Sequence, residues 1–170
     1  MKANVMKPNV KGWRHRGEKD KEPLLYRGCG LDDVYLMSGY EKEETPDGEG
    51  VSIKNLDELH QAIGRYLAQE KKVLSGKELR FLRLQMDLTQ SHLARFLGMD
   101  SQSVARWEKG QFAIPGAADL VVRALFLELF DNKNTNLKEL AQSLEEMDAR
   151  IEEKTCFENS GKGWKKAVNQ

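Results

Sequence analysis

Ser101, Gln102, Ser103 and Arg106 place four hydrogen-bonding side chains in one short stretch, LTQSHLARFLGMDSQSVARWEKG, which runs from Leu88 to Gly110. At helical spacing Ser101, Gln102 and Arg106 share a face, while Val104 and Trp107 fall on the opposite one. These residue types suit a surface that is read by hydrogen bonding. Gln pairs bidentately with adenine, Arg with guanine, and Ser with several bases, each on the edges that duplex DNA displays in its major groove. An apolar face that holds the helix down leaves such a polar face free.

The neighbouring residues supply what a reading helix needs. Thr89 is a natural N-cap for a helix in which Leu93, Ala94 and Leu97 face inward, and Gly98 suits the position just past its end. Asp100 or Ser101 then caps a second helix that stops at Gly110. Upstream, Ser75 followed by Glu78 fits a capping box. It opens a helix with an apolar stripe of Leu79, Leu82 and Met86, whose Lys77, Arg80 and Arg83 form a solvated face. Downstream, Pro115 opens a long apolar helix over Ala117–Phe130. Two short helices joined by a tight turn containing Gly describe a helix-turn-helix.

The stretch resembles the Cro/lambda-repressor-type (XRE) helix-turn-helix. The motif begins a helix with Thr-Gln-x-x-Leu-Ala, continues with Leu-Gly and a polar run, and ends in Trp-Glu-x-Gly. The resemblance covers about residues 75–130. It implies a five-helix lambda-repressor-like DNA-binding domain whose third helix reads bases through Ser101, Gln102, Ser103 and Arg106. Thr89 and Gln90 at a helix N-terminus, and Lys109 after the recognition helix, would touch phosphate. The implied function is a sequence-specific transcriptional regulator, an autoregulating repressor that reads a palindromic operator in double-stranded DNA as a homodimer.

Residues 24–74 read as a small α/β module. Val34, Tyr35, Leu36 and Tyr40 suggest a strand, EKEETPDGEG (41–50) a turn, and Val51–Ile53 a returning strand. A helix with Asp57 as N-cap follows to about Glu70, and residues 71–74 look like a linker. YRGCGLDDVYLMSGYEKEETPDGEGVSI followed by LHQAIG resembles the antitoxin-like bacterial regulators of the YgiT/MqsA kind, in which a small zinc module precedes an XRE domain. That resemblance implies an alternative function: an antitoxin whose N-terminal module binds and neutralises a partner toxin. The sequence departs from the pattern at the metal. A structural zinc site needs about four Cys/His ligands, and Cys29 stands alone before Cys156. No metal and no cofactor are expected.

The remaining segments complete an α+β fold class, mainly α with a small N-terminal β module. Residues 1–23 read as a basic flexible arm, 75–131 as the helix-turn-helix domain, 132–156 as a C-terminal helix available for dimerisation, and 157–170 as a loose tail. That final helix is expected over Leu137–Glu153.

The chain of 170 residues has 27 basic and 27 acidic side chains, so bulk charge does not mark a general nucleic-acid binder. The charge is nonetheless blocked. Residues 1–30 carry eight Lys/Arg against three acids, and residues 31–74 carry five against ten. No apolar run approaches the roughly 18 residues of a membrane span, and the two cysteines make no disulfide framework, so a cytoplasmic protein is expected. His15, His60 and His92 are not spaced as ligands. Cys29, between small neighbours, is an accessible thiol on sequence grounds. The acidic turn lacks calcium-loop spacing, and no catalytic arrangement emerges, so the chain does not read as an enzyme.

Overall fold

A computed structural model of the chain describes residues 23–46, 48–131, 136–146 and 154–167. The basic arm expected over residues 1–23 lies almost wholly outside these residues, as does the expected continuation of the last helix to Glu153. Six strands and six helices are described. β1 (Leu24–Leu25), β2 (Val34–Leu36), β3 (Tyr40–Thr45) and β4 (Gly48–Ile53) precede α1 (Leu56–Gln69). Then come α2 (Gly76–Gln85), α3 (Gln90–Leu97), α4 (Ser101–Glu108), α5 (Gly116–Asp131) and α6 (Leu137–Glu146), followed by β5 (Thr155–Asn159) and β6 (Trp164–Lys166).

The strands differ from the sequence reading. Val34–Leu36 and Tyr40–Thr45 are separate strands in separate sheets. β3 pairs with β4 as a hairpin, and β2 lies inside a four-stranded sheet of order β1-β2-β5-β6. Residues 157–170, expected as a loose tail, contribute most of β5 and all of β6. Gly161 and Gly163 both adopt positive φ, which makes the glycine-rich stretch between these strands the turn of a hairpin. β2 runs parallel to β5, with Val34 opposite Thr155 and Leu36 opposite Phe157.

Strand alternation divides this sheet into two faces. Val34, Leu36, Phe157 and Trp164 join the main core, whereas Tyr35, Cys156 and Ala167 form a small separate cluster with Leu25 and Met37. The main core is continuous across the expected boundary at residue 74. It runs from the sheet through Leu59, Ile63 and Leu67 of α1 to Leu79 and Leu82, then Leu93, Val104 and Phe126. Gly64 makes that contact possible, because a Cβ there would overlap the ring of Phe126 on α5.

α1 starts two residues earlier than expected. Asn55, at φ 49°, precedes it in the left-handed region that Asn tolerates, and Asp57 sits in the first turn. There its carboxylate faces the positive end of the helix dipole.

The other end of α1 is held by an unexpected residue. Arg123 lies in an almost uniformly apolar helix, and its side chain is 0% exposed. Its guanidinium donates to the carbonyls of Leu67 (2.8 Å), Lys71 (2.6 Å) and Lys72 (3.4 Å), and it pairs with Asp119 one turn earlier. Asp119 in turn accepts from the backbone N–H of Leu74 at 3.3 Å. Residues 71–74, read as a linker, are thus tied to α5, with Leu74 buried.

A second polar link joins sheet and helices. The Tyr26 hydroxyl lies 2.7 Å from His60 Nε2, and His60 Nδ1 lies 3.3 Å from the Gln85 amide. Burial pushes the His60 pKa down from 6.5 and the Tyr26 hydroxyl up to about 12.

Two outcomes follow for stability. Arg123→Met should cost about 3–5 kcal/mol in urea unfolding, since it strands Asp119 and several carbonyls without their donor. Because His60 is held neutral, its contribution is complete above pH 6.5 and is lost as pH falls below that value. Urea midpoints measured from about pH 8 to about pH 5 should therefore fall, and the fall should be smaller in His60→Gln, which does not titrate.

Candidate nucleic-acid interface

α2, α3 and α4 are fixed at their ends by local hydrogen bonds. Ser75 and Glu78 form a reciprocal capping box. Thr89 Oγ1 accepts from the N–H of His92 at 3.1 Å, and Gly98 closes α3 at φ 63°. The cap of α4 is Asp100, whose Oδ1 accepts from the Ser103 N–H at 2.8 Å. Leu93 and Val104 are fully buried, and Trp107 packs beside them in the core.

A buried ion pair sets the position of α4. Arg83, expected on a solvated face, is 8% exposed and Glu108 is 3% exposed, and they meet in a two-pronged contact of 2.5 and 3.1 Å. Arg83 also donates to the Leu88 carbonyl at 2.7 Å, and Gln90 Nε2 donates to Glu108 at 2.8 Å. Three helices therefore converge on one carboxylate, and a bidentate Arg–carboxylate fork fixes angle as well as distance. Gly76 closes the arrangement: a Cβ there would strike the backbone carbonyl of Trp107, so α2 starts directly against the last turn of α4.

With the helix held in this way, its outer face is polar. Ser101, Gln102 and Arg106 are exposed, and Lys109 is exposed as the C-cap. The Arg106 guanidinium carbon lies 6.0 Å from the centre of the Phe112 ring, in the loop after α4. Ser103 is half-buried, and its hydroxyl donates to Asp100 Oδ2 at 2.8 Å. Its proton is therefore not available to a base. Thr89 is exposed but its oxygen is engaged as a cap. Gln90 is half-buried, with one amide hydrogen committed to Glu108. This N-terminus also offers outward the backbone N–H groups of Gln90 and Ser91, which open α3, and the Thr89 hydroxyl proton, which the cap does not use. Arg80 and Arg95 add exposed cations on α2 and α3.

A family model described as Helix-turn-helix matches residues 79–121. Residues 79–121 are a helix-turn-helix domain of the Cro/lambda-repressor (XRE) type. No curated protein and no solved structure matches the chain. α3 and α4 form the helix-turn-helix, with α2 packed on α4 and α5 on α2, and the match makes the domain that of a DNA-binding transcriptional regulator. Among the described residues no helix is long and apolar enough to cross a membrane. Cys29 lies outside the matched residues. It is half-buried, and burial pushes its thiol up, away from the reactive thiolate.

Sequence reasoning missed Arg83, Glu108 and Arg123 as buried charges. The available signal was positional: Arg83 adjoins Leu82 of the apolar stripe, and Arg123 interrupts an apolar run. Replacing Glu108 by Leu should cost about 3–5 kcal/mol, since Arg83 is left buried and unpaired. The double variant Arg83→Met/Glu108→Leu should recover most of that loss in the same urea titration, because both charges leave together.

Proposed function

We propose that this protein is a sequence-specific repressor that reads a palindromic operator as a homodimer and controls its own transcription. The supporting observation is the exposed row Ser101, Gln102 and Arg106 on a helix locked from behind by the Arg83–Glu108 pair. A helix fixed in place with adaptable donors and acceptors outward has what major-groove readout requires. In this reading Gln102 and Arg106 provide the strongest base contacts, with Ser101 beside them and Ser103 contributing through its partner Asp100. Lys109 and the N-terminus of α3, from Thr89 and Gln90, face phosphate. One such helix covers about half of an operator, so two copies related by a two-fold axis are needed to read a palindrome.

A second reading takes residues 24–74 as the binding module for a partner toxin. The hairpin of β3 and β4 favours it, since Glu41, Glu43, Glu44 and Glu49 are all exposed on it. Co-expression with the product of the adjacent gene tests this directly. A complex of fixed stoichiometry supports it, and two separately eluting proteins overturn it.

Titration of the full chain against its own upstream promoter, with scrambled duplex as competitor, tests the main reading. Binding should be specific and salt-sensitive, and sedimentation should show a dimer on the site. Arg106→Ala should lose about 1–3 kcal/mol of operator binding and relax preference at one base pair, whereas Lys109→Ala should weaken all sequences and reduce the salt slope by about 1. Equal affinity of the wild-type chain for promoter and scrambled DNA would overturn the reading.

A further inference from the structure

The N-cap of the recognition helix carries a feature that capping does not use up. Asp100 accepts the Ser103 backbone N–H on Oδ1 and the Ser103 hydroxyl on Oδ2, each at 2.8 Å. An ionised carboxylate only accepts, at about four positions, and Asp100 is exposed beyond the cap. The carboxylate is fully exposed, and hydrogen bonds from Ser103 hold its pKa below the usual value, so it is ionised at neutral pH. The Ser103 hydroxyl has spent its only proton on Asp100, leaving its own oxygen as an acceptor. The two side chains therefore present acceptors and no donor. They do so immediately beside Ser101 and Gln102, at the N-terminal end of α4.

The four bases respond very differently to such a surface. In the major groove cytosine shows only an amino donor, adenine an amino donor beside the N7 acceptor, thymine an acceptor beside a methyl group, and guanine two acceptors. A fixed carboxylate attracts the first, is partly opposed by the second, and repels the last two. We propose that Asp100, oriented by Ser103, is a specificity-determining residue that selects cytosine at one position of each half-site and disfavours guanine there. This rests on the DNA-reading role of α4 proposed above. The same negative charge opposes phosphate, so it lowers affinity for unrelated duplex and widens the gap between specific and non-specific binding.

The test is selection from a randomised duplex library with the full chain, followed by sequencing, for the wild type and for Asp100→Asn. Asn caps helices as well as Asp does, so the variant retains the fold; Asp100→Ser, also a good cap, provides a second version. The wild type should favour cytosine over guanine at one half-site position by about 10-fold or more. Both variants should lose that preference, keep the remaining positions, and bind unrelated duplex more tightly. A purely structural cap would leave the selected site unchanged in Asp100→Asn, and that result would overturn the assignment while leaving the regulator intact. A wild-type site without the cytosine position would do the same. Failure of the wild type to enrich any sequence would overturn the DNA-reading role and this assignment together.

Discussion

Arg123 places a positive charge where no water can reach it, and the chain is arranged around satisfying that charge. An unpaired guanidinium in such a place would be prohibitively costly, so its donors must be met by protein. They are met by the carbonyls that α1 leaves open at its C-terminal end, by the backbone of residues 71 and 72, and by Asp119. A cation at a helix C-terminus is favourable in itself. The geometry has a further effect, because α1 packs on β6 of the sheet while α5 packs on α2, the helix that braces α4. One side chain thereby fixes the angle between the two halves of the core. The close approach of α1 and α5 at Gly64 leaves little room for any other angle.

The same device appears at smaller scale within the helix-turn-helix. Arg83 and Glu108 convert three short helices, each too short to be stable alone, into a frame for α4. The ion pair contributes less through net energy than through direction, since buried pairs often do little better than apolar replacements. Gln90 joins this frame and gives up part of its outward capacity in doing so. Outward contact at that helix end therefore rests more on the Thr89 hydroxyl and on backbone N–H groups, whose positions are set by the fold.

The parts of the fold legible in the sequence are those governed by neighbours a few residues away. The capping box at Ser75, the caps at Thr89 and Asp100 and the left-handed Gly98 are all local signals, and together they delimit α2, α3 and α4. The polar face of α4 follows from the same periodicity. What could not be read depends on distant partners. Arg83 looks solvated until Glu108, 25 positions later, is brought to it, and Arg123 looks misplaced until the end of α1 arrives. Residues 157–170 resemble a tail because the sheet neighbour of β5 is β2, far away in sequence, and the glycines that close its hairpin with β6 have the composition of a loose end. The side chain of Ser103 was legible as polar, but its commitment to Asp100 was not, because choosing between reading a base and bonding a neighbour requires coordinates.

The parallel pairing of β2 with β5 also bears on how the chain is made. Ser38 and Asn159, hydrogen-bonded beside that pairing, are 121 positions apart. During synthesis β2 emerges early and must wait with an open edge and an apolar face while every helix between them is produced. The helices can form from contacts close in sequence, which is the faster kind of folding. The sheet can close only when residues 155–159 leave the ribosome. Assembly is therefore ordered in time, with the helix-turn-helix first and the sheet that backs α1 last. Until that last strand arrives, the nascent chain carries an unpaired edge of the sort that invites association with other chains.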